Sequence, residues 1–183
     1  LWIFIVLIFL ETYSRMIARN RIWEELKQAK ANILGLQKYT DSRRSWARWY
    51  NGIIAAVASL GAIGYSLDEI IPFVSSVIVG ALSIAKSIAP NFIQSAQELS
   101  ELDMLSDFYV RYMNSLEKIW YDFDHDITNE KETMTRFFKL KETECDKESA
   151  YNRGVRYISK KMQNEIDAEA IEYINRVYFE KEE

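Results

Sequence analysis

The chain has 183 residues, 49% hydrophobic and 27% charged, with a formal net charge of −4 and one cysteine. A lone Cys145, set in the charged run KETECDKE, excludes an internal disulfide framework and fits a reducing cytoplasm. The charge is segregated: residues 11–48 hold nine Lys/Arg against four Asp/Glu, and residues 98–183 hold 13 against 21. The acidic C-terminal half argues against nucleic acid as the main partner, because phosphates need cationic contacts.

Taken in chain order, residues 1–10 (LWIFIVLIFL) form a wholly apolar N-terminal segment. As a helix it spans about 15 Å, half of a hydrocarbon core. It reads either as part of a membrane helix or as an apolar terminus packed on a neighbour. Residues 11–48 read as a basic amphipathic cytoplasmic helix. In it Ile22, Leu26, Ala29, Ile33 and Leu36 follow the alternating four- and three-residue steps of a helix-pairing seam. Thr40, Asp41 and Ser42 offer caps for a new helix start.

Residues 49–89 read as a transmembrane hairpin. Arg43, Arg44, Trp46 and Arg48 precede the uncharged run 49–67, which opens on Trp49, the mixture expected where a helix enters the headgroup layer. Ser66-Leu67-Asp68-Glu69 has the capping-box form that starts a second helix, and Pro72 fits its first turn. Residues 70–85 are again uncharged, and Lys86 near the end can snorkel to the interface. Basic residues at the shared end and acidic residues at the turn place both long flanks in the cytoplasm.

Small residues recur on one face of each span: Gly52, Ala55, Ser59 and Ala62 on the first, Ser76, Gly80, Ser83 and Ser87 on the second. Such stripes let helices approach closely. They either bind the two spans of one hairpin together or, in an oligomer, line a water-filled path.

Residues 90–183 read as an acidic cytoplasmic helical region. One apolar face runs from Leu99 to Phe123, and a second from Tyr151 to Val177. A connection falls at Asp124–Ile127, with Thr128 or Asn129 capping the next helix, and Asn91 with Gln94 offers a cap after Pro90. Asp122, Asp124, His125 and Asp126 are the one cluster of metal-ligand types, but consecutive helical residues diverge. The expectation is therefore no metal, no cofactor and no catalytic set. Tyr109, Tyr112, Trp120, Tyr121, Phe137 and Phe138 read as core at helical spacing.

The layout of SRRSWARWY, NGIIAAVASLGAIGY, SLDE, IIPFVSSVIVGALSIAKSIAP and a following long helix, over residues 40–125, resembles the SLATT family. These are two-transmembrane effectors of bacterial nucleotide-second-messenger defence systems. The resemblance implies an oligomeric inner-membrane effector that permeabilises the membrane in anti-phage defence (abortive infection), partnered by the lipid bilayer, by copies of itself and by a protein or nucleotide-sensing partner. The chain departs from the family in its apolar N-terminal stretch and lacks a recognisable sensor domain. The alternative reading is a non-conducting membrane anchor or scaffold that recruits a partner through its cytoplasmic helices. The expected fold is all-α.

Overall fold

The computed structural model describes residues 2–64, 77–81, 83–84, 87 and 94–178. The fold is all-α, with no strand among the described residues. Its helices are α1 (Trp2–Gly64), α2 (Ala96–Asp124), α3 (Glu130–Glu142), α4 (Cys145–Gly154) and α5 (Lys160–Tyr178). They divide into two compact units, one of residues 1–37 and 102–183, the other of residues 38–101.

In the first unit the expected seam is buried: Ile22, Leu26 and Leu36 are fully enclosed, and Ala29 and Ile33 nearly so. Each buried Ile or Leu side chain contributes about 1.5–3 kcal/mol by leaving water. The covering surface comes from the same chain. On α2, Leu105, Tyr109, Tyr112, Met113, Leu116, Ile119, Trp120 and Phe123 are buried, and on α5 Ile166, Ala170 and Ile174. The seam therefore needs no second copy of the protein to cover it.

Side-chain contacts fix the direction of each helix. Arg15 donates to the Phe123 carbonyl at 3.2 Å, while ten residues along α1 Glu25 meets Tyr112 at 3.0 Å, so α2 runs antiparallel to α1. Ser14 pairs with Glu130, and Glu25 with Lys141, so α3 runs parallel to α1. Lys30 sits 3.7 Å from the Tyr173 ring and Trp23 lies 5.7 Å from Tyr178, with Ile166 beside Gly35, so α5 is antiparallel to α1.

Two helix boundaries differ from the expectation. No new helix starts at Thr40–Ser42, because α1 is continuous from Trp2 to Gly64. Tyr39 and Thr40 are buried on the face that continues from Leu36, and burial in helical register outweighs the weak preference of Asp and Ser for a cap. The stripe from Tyr151 to Val177 is two helices, not one. Residues 155–159 are non-helical, and Ser159 accepts from the Met162 N–H at 3.2 Å as α5 begins. Val177 is exposed, so the buried part of that stripe is Ile166, Ala170 and Ile174.

At the start of α2 the cap is Ser95. Its hydroxyl accepts from Glu98 N–H at 3.1 Å while its own N–H donates to Glu98 Oε2 at 2.7 Å, a reciprocal capping box. The connection after α2 falls where expected. Asp126 takes a left-handed φ of 58°, and Asn129 caps α3 by accepting from Glu132 N–H at 2.9 Å.

The second unit holds the remainder of α1, helical residues 77–81, 83–84 and 87, and the first turn of α2. Among the described residues no helix is long and apolar enough to cross a membrane. The turn at Ser66–Glu69, its capping box and Pro72 lie outside the described residues.

Candidate functional site

In the second unit, α1 turns amphipathic to apolar along one face. Arg43 stacks its guanidinium 4.9 Å from the Tyr39 ring. Arg44 is half-buried, and Arg48 is exposed. Trp46 and Trp49 are 67% and 72% exposed, too open for core residues of this unit. Ser45, Arg48, Trp49, Gly52, Ile53 and Ala56 line a shallow groove of about 500 Å³ along that face.

The small residues lie on exposed surface. Gly52 and Ala55 are exposed on α1, as are Gly80, Ser83 and Ser87. A Cβ at Gly52 or Gly80 would meet nothing within 4 Å, so among the described residues neither glycine packs on a neighbour. Ser59 and Ser83 donate to the carbonyls of Ala55 and Val79, both at 2.8 Å. These hydroxyls are thus satisfied one turn back within their own helix. Val77, Val79 and Ile84 are all more than half exposed. Ser76, Lys86 and the side chain of Ala62 lie outside the description.

The first unit holds a polar cluster that periodicity did not single out. Lys141 Nζ on α3 reaches Glu25 Oε2 at 2.5 Å and Glu144 Oε2 at 3.3 Å. Tyr112 Oη on α2 lies 3.0 Å from Glu25 Oε1 and 3.5 Å from Glu144 Oε2. Both carboxylates are buried. Burial pushes the Glu144 carboxyl above the ordinary carboxylate range, and the Glu25 charge pushes the same way, with Lys141 offsetting part of the rise. Burial works against the Lys141 ammonium, but Glu25 and then Glu144 more than compensate and raise it. Tyr112 is raised by burial and then by both carboxylates. One lysine and one phenol thereby hold two buried acids, joining α1, α2, α3 and the start of α4. Beside it Ile17, Asn20, Phe137 and Phe138 line a mainly apolar groove of about 450 Å³. The available sequence signal was a charged residue, Glu25, directly beside seam position Leu26.

The acidic cluster at 122–126 is engaged in ion pairs. Asp126 pairs with Arg15 at 2.6 Å, Asp124 with Arg19 at 3.2 Å and Asp122 with Arg136 at 3.2 Å. His125 stacks on Tyr121 with ring centres 4.0 Å apart. No group of three His, Cys, Asp or Glu residues suited to a metal ion occurs among the described residues. Of the six aromatics read as core, Tyr109, Tyr112, Trp120 and Phe137 are buried, while Tyr121 and Phe138 are about half exposed. Trp120 joins Trp23 and Tyr178 in a cluster with ring centres 5.4–6.0 Å apart. A comparison of the chain with protein-family models, with curated proteins and with solved structures gives no match to any of them.

Proposed function

We propose that the protein is an oligomeric effector of the bacterial inner membrane, inserted through residues 49–89 and permeabilising the bilayer in anti-phage defence, with both long flanks cytoplasmic. The observation that carries membrane insertion is the exposed apolar face of the second unit. Beyond Arg48, α1 continues to Gly64 without a charge, and Trp49, Ile53, Val77, Val79 and Ile84 stand more than half exposed. In water such a face is costly, at about 25 cal/mol per Å² of apolar surface; against lipid the cost disappears. The aromatic and arginine residues just before it suit the headgroup layer.

The step from insertion to permeabilisation rests on the SLATT-like layout and on the open space at Gly80, which leaves its face available to another helix. The second reading, a non-conducting anchor or scaffold, is favoured by the first unit, whose seam is covered within the chain and which presents the groove at Phe138 to a partner.

Two measurements separate these readings. Alkaline carbonate washing leaves an integral protein in the membrane pellet; release of intact chain into the supernatant rules insertion out. Induced expression in bacteria with a membrane-potential dye then distinguishes effector from anchor. Depolarisation with growth arrest supports the effector, and an intact potential with the protein in the membrane supports the anchor.

A further inference from the structure

We infer that the groove along α1 at Ser45, Arg48, Trp49, Gly52, Ile53 and Ala56 seats an anionic phospholipid of the surrounding bilayer, with Arg48 on the phosphate and Gly52 admitting the acyl chain. The inference rests on the membrane reading and deepens it.

The groove is graded in polarity. Its upper end holds the Ser45 hydroxyl and the Arg48 guanidinium, its middle the amphipathic indole of Trp49, and its lower end Gly52, Ile53 and Ala56. A phospholipid has the same order of groups along its length. The spacing agrees as well. At 1.5 Å per residue Gly52 lies about 6 Å below Arg48 along the helix and Ala56 about 12 Å below. A headgroup layer is roughly 5–8 Å thick on each side of the hydrocarbon, so a phosphate at Arg48 puts Gly52 at the start of the acyl region.

Charge supports an anionic headgroup. Arg43 is engaged by the Tyr39 ring. Arg15, Arg19 and Arg136 have carboxylate partners. Arg48 is exposed and, among the described residues, makes no ion pair or hydrogen bond. A guanidinium presents a planar fork matched to phosphate oxygens. Below it a Cβ at Gly52 would meet nothing within 4 Å among the described residues, so the missing side chain leaves a gap for a methylene chain beside the Trp49 ring.

The test uses the full chain extracted in mild detergent, delipidated, and mixed with equal amounts of phosphatidylglycerol and phosphatidylcholine of the same acyl chains, with retained lipid read by native mass spectrometry. Phosphatidylglycerol is expected to be retained over phosphatidylcholine. Arg48→Gln should reduce that preference about fivefold, the weight of one basic side chain at an anionic surface. Arg43→Gln should leave it unchanged. Gly52→Leu should lower retention of both lipids by filling the gap, with helical circular dichroism confirming that each variant is folded. Equal retention of the two lipids by the wild type overturns the proposal, as does a preference that survives Arg48→Gln. Carbonate washing reports separately on insertion. A chain that resists washing but shows no lipid preference sinks the lipid site alone, whereas a chain released by washing sinks the membrane reading and the site with it.

Discussion

Tyr112 on α2 and Glu25 on α1, 87 residues apart in sequence, meet at 3.0 Å inside the first unit, with the phenol donating to the carboxylate. Glu144 approaches the same hydroxyl at 3.5 Å, so one donor stands between two acids and Lys141 supplies the compensating charge. Removing Lys141 leaves two buried carboxylates facing each other. Lys141→Met should therefore destabilise the first unit by about 1–2 kcal/mol, a discounted value because the lysine side chain is 46% exposed. Chemical denaturation followed by circular dichroism checks this; an unchanged midpoint would show that the ion pairs contribute nothing.

The raised Glu144 carboxyl has a definite pH signature. Between the ordinary carboxylate pKa and the raised one, the folded protein holds a proton there that the unfolded chain releases. Its stabilising share is complete below the ordinary carboxylate pKa and is lost as pH rises through the raised value. Melting temperature should fall across that window, and Glu144→Gln should flatten the fall while keeping an acceptor for Tyr112. Melts from about pH 4 to about pH 8 measure it, a range that brackets ordinary carboxylate titration. Equal slopes in variant and wild type would remove the two-acid account.

At the alkaline end the tyrosines act in the same direction. Tyr109, Tyr112 and Tyr178 are all raised from an ordinary 10.0, in each case chiefly by burial. Unfolded tyrosines ionise near that value while folded ones resist, so stability is lost as pH rises above it. Tyr112→Phe should cost about 1 kcal/mol at neutral pH through the lost hydrogen bond, yet weaken the alkaline loss. A neutral-pH cost with an unaltered alkaline slope would contradict this assignment.

Gly35 lies within α1, where alanine is normally favoured by about 1 kcal/mol. Here a Cβ would stand 2.7 Å from the Tyr151 hydroxyl. Gly35→Ala should thus cost about 1–2 kcal/mol in the wild type and become neutral or stabilising alongside Tyr151→Phe. The double-mutant cycle is the measurement, and additive effects would rule out the clash.

Gly80 has open space at its Cβ position, so leucine there disturbs nothing among the described residues. If the small-residue face packs in an assembly, Gly80→Leu should weaken assembly roughly tenfold through overpacking of about 1–3 kcal/mol, leaving insertion intact. Val79→Leu is the control. Mass measurement in mild detergent reads the outcome, and assembly unaffected by Gly80→Leu would exclude that face as the contact.

Periodicity alone determined the all-α class, the buried seam from Ile22 to Leu36 and the connection after Asp124, because apolar side chains at helical spacing have one way to leave water together. It also separated charged from uncharged stretches, including the face at Trp49 and Ile53. It did not reveal that α1 continues through Thr40, since that depends on the burial of Tyr39 and Thr40, a tertiary fact stronger than any capping preference. Nor did it reveal what covers the seam: the facing residues on α2 and α5 are far away in sequence, and nothing local marks them as partners. The cluster of Glu25, Tyr112, Lys141 and Glu144 is legible only once α1, α2, α3 and the start of α4 are aligned. Each of its charged members reads in sequence as a solvated charge, and only packing takes the carboxylates out of water and makes them answer one another.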